Sequence, residues 1–257
     1  LLIGSEMRGL TTSRGADGGF AAVDQFRTLA GECRAIVGPE VKLSYAADWS
    51  EYFGRQVEGE VWYHLDPLWA DDNIDYVGID WYAPMGDWRA GDWRYGGGGL
   101  DGEAGFKGPR DPAYLAAQVA GGEGYDWYYA HEADRVAQVR TPIVDGAYGE
   151  DWVYRNKDLK AWWGQRHYNR PNGVKAAVPT DWVPQMKPIR LTEFGCAAVD
   201  RGCNAPNLFQ DPKSSENSLT PFSTGARDDL GQRRMVEAVL KHYRDADNNP
   251  VSSLYDG

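Results

Sequence analysis

Four acidic residues, Glu6, Asp48, Asp80 and Glu193, each stand at or just past the end of a stretch that reads as a β-strand: residues 1–3, 41–47, 74–80 and 187–195. Two carboxyl groups facing each other across a sugar can cleave a glycosidic bond, one protonated as general acid and one ionised as nucleophile or base. A separation of about 5–5.5 Å gives retention and roughly 6.5–9.5 Å gives inversion, provided the surroundings hold the two pKa values apart. Glu6 and Glu193 are the candidate catalytic pair. Asp48, Asp80, Trp49, Trp81, Tyr82 and Arg8 are the candidates for binding substrate. Carboxylates hydrogen-bond sugar hydroxyls, and flat aromatic rings stack on the apolar faces of sugars. The competing reading of the aromatics is packing beneath the loops, and that of Asp48 and Asp80 is holding Glu6 and Glu193 in place.

Side chains so far apart in sequence converge if parallel strands deliver their C-terminal ends to one mouth, as in a (β/α) barrel. Between the first two strands, Phe20, Val23, Phe26, Ala30, Cys33 and Val37 recur at helical spacing until Gly38-Pro39 stops the pattern. A further helix is expected over residues 61–70, so strand, helix, strand, helix, strand reads as parallel βαβ units. The alternation then breaks for a long insert, about residues 86–187, in which helices are expected over 112–119 and 151–163. Such an insert is an elaboration at the C-terminal end of a barrel strand rather than a separate domain. Its Gly96-Gly97-Gly98-Gly99 run lacks the Lys-Ser/Thr of a phosphate loop and reads as a flexible lid tip. After the strand at 187–195 come a polar loop to about residue 223 and a helix over 227–245, with Leu230, Val236, Val239, Leu240 and Tyr243 on its apolar face. The expected fold is α/β, a TIM (β/α)8-type barrel seen in part, as one domain over residues 1–257.

Composition narrows the partners. A net charge of -11 disfavours nucleic acid, whose binding rests on Lys and Arg displacing counterions. No stretch approaches the ~20 apolar residues of a membrane helix, and the first residues lack the form of a signal peptide. They read instead as a buried strand without an initiating Met, so the chain looks like a piece of something longer. Cys33, Cys196 and Cys203 are too few and scattered for a disulfide framework or a zinc site, and read as buried or idle thiols, with a Cys196–Cys203 disulfide as the alternative. The odd count favours a reducing compartment or indifference to redox state. His64, His131, His167 and His242 are too dispersed for a short zinc motif, and no metal or other cofactor is expected. No Gly-x-Ser-x-Gly elbow or His-Glu-x-x-His helix points to an esterase or peptidase. The 11 Trp and 15 Tyr read first as core packing, with a carbohydrate groove as the alternative.

Leu2-Ile3-Gly4-Ser5-Glu6 resembles the fourth-strand motif, and Leu191-Thr192-Glu193-Phe194-Gly195 the seventh-strand motif, of the large clan of retaining glycoside hydrolases built on the TIM barrel. That resemblance makes the visible strands the fourth to the seventh, places the insert after the sixth, and implies Glu6 as acid/base and Glu193 as nucleophile. The clan usually carries Asn before its acid/base to bind the sugar 2-hydroxyl; this chain has Ser5. Longer strings, Gly4-Ser5-Glu6-Met7-Arg8-Gly9-Leu10-Thr11, Ser44-Tyr45-Ala46-Ala47-Asp48-Trp49-Ser50-Glu51-Tyr52, His64-Leu65-Asp66-Pro67-Leu68-Trp69, Gly121-Gly122-Glu123-Gly124-Tyr125-Asp126-Trp127-Tyr128 and Asp211-Pro212-Lys213-Ser214-Ser215, are similar to the TIM-barrel-like domain of gene transfer agent and phage tail proteins. In that family the domain sits inside a long tail or baseplate hub protein. The resemblance implies a glycoside-hydrolase-like domain on the tail of a phage-like particle assembled in the bacterial cytoplasm. It would cleave bacterial surface or cell-wall polysaccharide by a two-carboxylate retaining mechanism, with other tail and baseplate proteins as neighbours. The alternative is a catalytically inactive structural or glycan-binding tail module, which Ser5 and the long insert favour. Four strands alone would leave unpaired edges, so the isolated chain is expected to be poorly soluble.

Overall fold

The computed structural model describes residues 1–214 and 217–255, so Ser215, the last residue of the string quoted above, lies outside the described residues. Strands β1 (Leu2–Ser5), β2 (Ser44–Asp48), β3 (Val77–Trp81) and β4 (Ile189–Phe194) form a four-stranded parallel sheet in the order β1-β2-β3-β4. The order follows the chain without reversal, which is the winding of a barrel rather than of a doubly wound sheet. Tyr45, Ala46 and Ala47 of β2 and Val77 and Ile79 of β3 are all buried, as central parallel strands covered on both faces must be. At Gly78 the backbones come so close that a Cβ would fall 2.4 Å from the Tyr45 carbonyl oxygen. Registers Ala46↔Gly78 and Asp48↔Asp80 set the two aspartates side by side at the same strand ends. β1 is not the buried strand its composition promised: Leu1 and Leu2 are 54% and 41% exposed, because β1 pairs on one side only among the described residues.

The chain divides into two compact units, one of Leu1–Trp81, Leu159–Glu193 and Val251–Gly257, the other of Tyr82–Asp158 and Phe194–Pro250. In the first unit the long helix α1 (Ala21–Val37) forms where the apolar spacing places it and buries Val23, Phe26 and Ala30. The Phe26 ring lies 5.2 Å from that of Tyr45, which lies 6.1 Å from that of Trp69. The expected helix over 61–70 is mostly something else. Arg55–Val57 and Glu60–Trp62 pair as an antiparallel hairpin, because Glu58 and Gly59 both take positive φ (54° and 80°), the backbone of a tight two-residue turn. Helix remains only in α2 (Asp66–Trp69), started by Pro67 in its first turn. The buried Asp66 carboxylate lies 2.9 Å from His167 Nδ1 and accepts the Thr180 hydroxyl, while the His167 ring stacks on Trp182 at 5.4 Å.

The second unit has little regular structure. Helix α3 (Pro112–Val119) forms as expected, with the Asp111 carboxylate accepting the Ala113 N–H at 2.9 Å. The continuous helix expected over 151–163 is broken into a 3-10 turn, Asp151–Tyr154, and a separate helix α4, Leu159–Gly164, which belongs to the first unit. Asp151 uses a carboxylate oxygen on the Asp145 N–H at 2.6 Å, and Lys157 turns inward to the Pro84 carbonyl at 2.6 Å, so the chain between them does not wind. The Gly96-Gly97-Gly98-Gly99 run is folded in: Gly97 N–H donates to the Asp92 carbonyl at 2.9 Å, and Gly98, with φ 91°, packs against Trp88. Helix α5 (Asp229–Arg244), capped by Asp228, buries Gly231, Met235, Ala238 and Val239. The face expected from Leu230 and Leu240 is therefore displaced, those two being 47% and 43% exposed. Gly231 and Ala238 are small enough to admit a close neighbour, which apolar character alone does not reveal. No helix among the described residues is long and apolar enough to cross a membrane.

Candidate functional site

Glu6 and Glu193 both belong to the first unit, at the C-terminal ends of β1 and β4, and both are exposed. Glu6 holds a φ of 52°, a left-handed backbone that a glutamate rarely adopts and that costs about 1 kcal/mol or more unless its surroundings enforce it. Two backbone hydrogen bonds enforce it. Glu6 N–H donates to the Ala46 carbonyl at 2.8 Å, and Met7 N–H donates to the Tyr45 hydroxyl at 2.7 Å. Tyr45 Oη in turn donates to the Glu51 carboxyl at 3.1 and 3.2 Å to its two oxygens. Glu51 is fully buried and also receives the Thr11 hydroxyl and the Asp48 N–H, the latter at 3.2 Å. Burial pushes the Glu51 carboxyl above its ordinary value, against the pull of the Thr11, Asp48 and Tyr45 hydrogen bonds, and burial followed by the Glu51 charge pushes the Tyr45 phenol up. Tyr45, Glu51 and Thr11 thus fix the turn that presents Glu6.

Asp80 ties the strand ends together. Its side chain is 1% exposed, with Oδ2 accepting the Ser5 hydroxyl at 2.9 Å and Oδ1 accepting the Thr192 hydroxyl at 2.6 Å. Ser5 and Thr192 are the residues immediately before Glu6 and Glu193. Ser5 lies two strands from Asp80, which in a flat sheet would be about 9.5 Å of backbone separation, so the sheet must curve toward this face for the contact to form. A closed barrel places side chains of alternate strands in a common interior layer in this way. Ser5, standing where the glycosidase clan carries Asn, uses its hydroxyl on Asp80.

The other sequence candidates are distributed differently. Asp48 Oδ1 accepts both the N–H of Ser50, at 2.7 Å, and its hydroxyl, closing its own loop, and Arg8 Nη1 donates to Ser50 Oγ at 2.9 Å. Trp49 is half-buried. Trp81 is fully buried, and its indole N–H has no acceptor among the described residues. Tyr82 is half-buried in the second unit, its ring edge-on to Phe209 at 5.6 Å. Hydrogen bonds therefore join Ser5, Asp80 and Thr192, the first and last of which are the chain neighbours of Glu6 and Glu193, and join Arg8 and Asp48 through Ser50. The roles of Tyr45, Glu51, Thr11 and Thr192 were not drawn from the sequence. Thr192 adjoins Glu193 and Glu51 lies in the Ser50-Glu51-Tyr52 string, but nothing in their spacing announces a partner.

His64 stands near this region without joining it. Its side chain is 3% exposed, and burial lowers its pKa to about 4. No group of three or more His, Cys, Asp or Glu side chains among the described residues is placed to hold a metal ion. A family described as the GTA TIM-barrel-like domain matches residues 1–257. No curated protein matches the chain.

Proposed function

The chain belongs to the GTA TIM-barrel-like domain family, and from that premise we propose that it is a glycoside-hydrolase-like domain of a gene transfer agent or phage tail protein, cleaving bacterial surface or cell-wall polysaccharide. Glu193 is the nucleophile and Glu6 the acid/base. Glu193 attacks the anomeric carbon while Glu6 protonates the departing glycosidic oxygen; Glu6 then takes a proton from water as that water releases the sugar from Glu193. The observation that carries the reading is the Asp80 carboxylate, which joins the residues immediately preceding both glutamates, at 2.9 and 2.6 Å. A retaining pair works only at a fixed separation, and a buried common anchor is a means of fixing it. The left-handed backbone at Glu6 is strain of the kind that collects at working sites. Asp48, Trp49 and Arg8 are the neighbouring groups offered to sugar. The domain spans residues 1–257 as one barrel-like element with its insert, set within a particle tail beside other tail or baseplate proteins.

A second reading, a glycan-binding or structural tail module without catalysis, is supported by the exposure of both glutamates and by Ser5, which is engaged with Asp80 rather than free to bind a sugar 2-hydroxyl. An exposed carboxylate can hydrogen-bond sugar hydroxyls with no proton transfer. Reducing-end release from bacterial surface polysaccharide and from peptidoglycan, measured with the chain and with Glu193→Gln, separates the two. Loss of at least about a thousandfold of the rate in the variant supports hydrolysis. Tight binding with no release by either protein supports the binding module.

A further inference from the structure

The sulfurs of Cys196 and Cys203 lie 3.9 Å apart as free thiols, with both side chains buried. A disulfide holds its sulfurs about 2 Å apart, so closing the bond draws these two about 2 Å closer. We infer that this pair is a disulfide site, closed when the protein meets an oxidising exterior, which staples the loop following β4. The inference stands apart from the glycosidase reading and does not need it.

The loop from residue 196 to residue 204 is a junction of the second unit. The Cys203 carbonyl accepts the Met85 N–H at 2.8 Å, and Gln232 of α5 donates to the Cys196 carbonyl at 2.7 Å. Asn204 accepts the Trp88 N–H at 3.0 Å and donates to the Trp88 and Pro221 carbonyls, both at 3.1 Å. Anchored at both ends, the loop keeps the sulfurs together in the reduced protein, so little order remains to be imposed when the bond forms. Contact with Cys196 and burial hold the Cys203 thiol well above its ordinary value, and with both side chains buried the reaction waits on local opening.

With a small-molecule disulfide as oxidant, one sulfur of the pair attacks one sulfur of that disulfide, its S–S bond breaks, and one small thiol leaves with the proton. The other cysteine then attacks the protein sulfur of the mixed disulfide, and the second small thiol leaves with its proton. The protein loses two hydrogens and the oxidant gains them as two thiols.

The test uses the full chain held in oxidised glutathione, then unfolded and alkylated, with peptide mapping by mass spectrometry. The expected result is a cross-linked pair of peptides bearing Cys196 and Cys203, lighter by two hydrogens, with Cys33, which is partly exposed, either alkylated or carrying glutathione. The oxidised protein should melt roughly 5 °C higher, a rise reversed by dithiothreitol. The Cys203→Ser and Cys196→Ser variants should form no cross-link and show no such rise. Full alkylation of Cys196 and Cys203 while Cys33 carries glutathione would overturn the assignment. A cross-linked form that melts no higher than the reduced one would overturn the staple.

Discussion

The two units of this chain are held by different physics. The first is organised by a parallel sheet whose central strands are apolar on both faces, and two sets of its buried polar groups lie by the strand ends: Asp80 with Ser5 and Thr192, and Glu51 with Tyr45 and Thr11. Among the described residues the second has no sheet of comparable size, and beside its apolar core it holds a buried charge cluster. Asp87, 3% exposed, pairs with Arg140 at 2.8 Å and Arg89 at 3.0 Å and accepts from Tyr129 at 2.6 Å and Gln138 at 2.8 Å. Arg140 also holds Asp101 at 2.7 Å, and Asp101 accepts the Tyr114 hydroxyl at 2.7 Å. Where apolar strands supply the order, buried polar groups are released to position a site. Where they do not, the polar groups are part of the scaffold, and removing one leaves charges short of a partner.

The largest effect that could break this contrast belongs to Lys157, the buried ammonium of the second unit. Burial lowers its pKa from 10.5 to about 7, so the folded state releases a proton that the unfolded chain keeps. Its stabilising share is complete above pH 10.5 and lost as pH falls toward 7, a swing of about 5 kcal/mol. Subtracting denaturation curves of Lys157→Met from those of the native protein across that range should expose the swing, with the variant the more stable at pH 7. Parallel curves would remove Lys157 from the account. Next comes Asp87→Ala, which takes from Arg89 its carboxylate partner and from Arg140 one of two, and should cost the second unit about 3–5 kcal/mol. Hydrogen exchange should show protection falling in residues 82–158 and 194–250 before the central strands β2 and β3 are affected; equal loss in both would deny that the units are held separately.

In the first unit, His64 offers a smaller pH effect of the same sign. Its imidazole protonates near 6.5 when unfolded and only near 4 when folded, so stability is full above 6.5 and drops by about 3 kcal/mol as pH falls toward 4. The His64→Phe variant should lack that part of the acid sensitivity, as read from urea midpoints at pH 4 and pH 7. The smallest effect sharpens the contrast most. Ser5→Ala and Thr192→Val each remove one hydrogen bond to Asp80 and should cost about 1 kcal/mol. Because both act on one carboxylate, the double variant should depart from additivity by at least about 0.5 kcal/mol, and strict additivity would mean that Asp80 does not link the strands.

The sequence made some of this legible and hid the rest for physical reasons. β2 and β3 could be read because central parallel strands are near-continuous apolar runs, and α1 because Val23, Phe26 and Ala30 keep helical spacing. The helix over 61–70 misled because Val61, Leu65 and Leu68 are spaced as a helix would be, yet the positive φ of Glu58 and Gly59 had already turned the chain into a hairpin. Glu6 and Glu193 could be picked out as candidates through residue type and place at strand ends. Asp80 could be read as a residue that holds both glutamates in place, but its partners Ser5 and Thr192 could not, because Asp80 reaches Ser5 only through the curvature of the sheet, which no local pattern encodes. In the second unit Asp87, Asp101 and Arg140 are ordinary charged residues in sequence, and only burial reveals them as a hub.

The central proposal, that Glu6 and Glu193 act as a retaining pair, is tested most directly by the configuration of the first sugar released. Proton NMR of the newly freed anomeric centre, followed from the first minutes of digestion of the polysaccharide that the chain cleaves fastest, should show the configuration of the bond that was cut, and Glu193→Gln should give no signal. An inverted anomer, or the same signal from Glu193→Gln, would contradict the assignment.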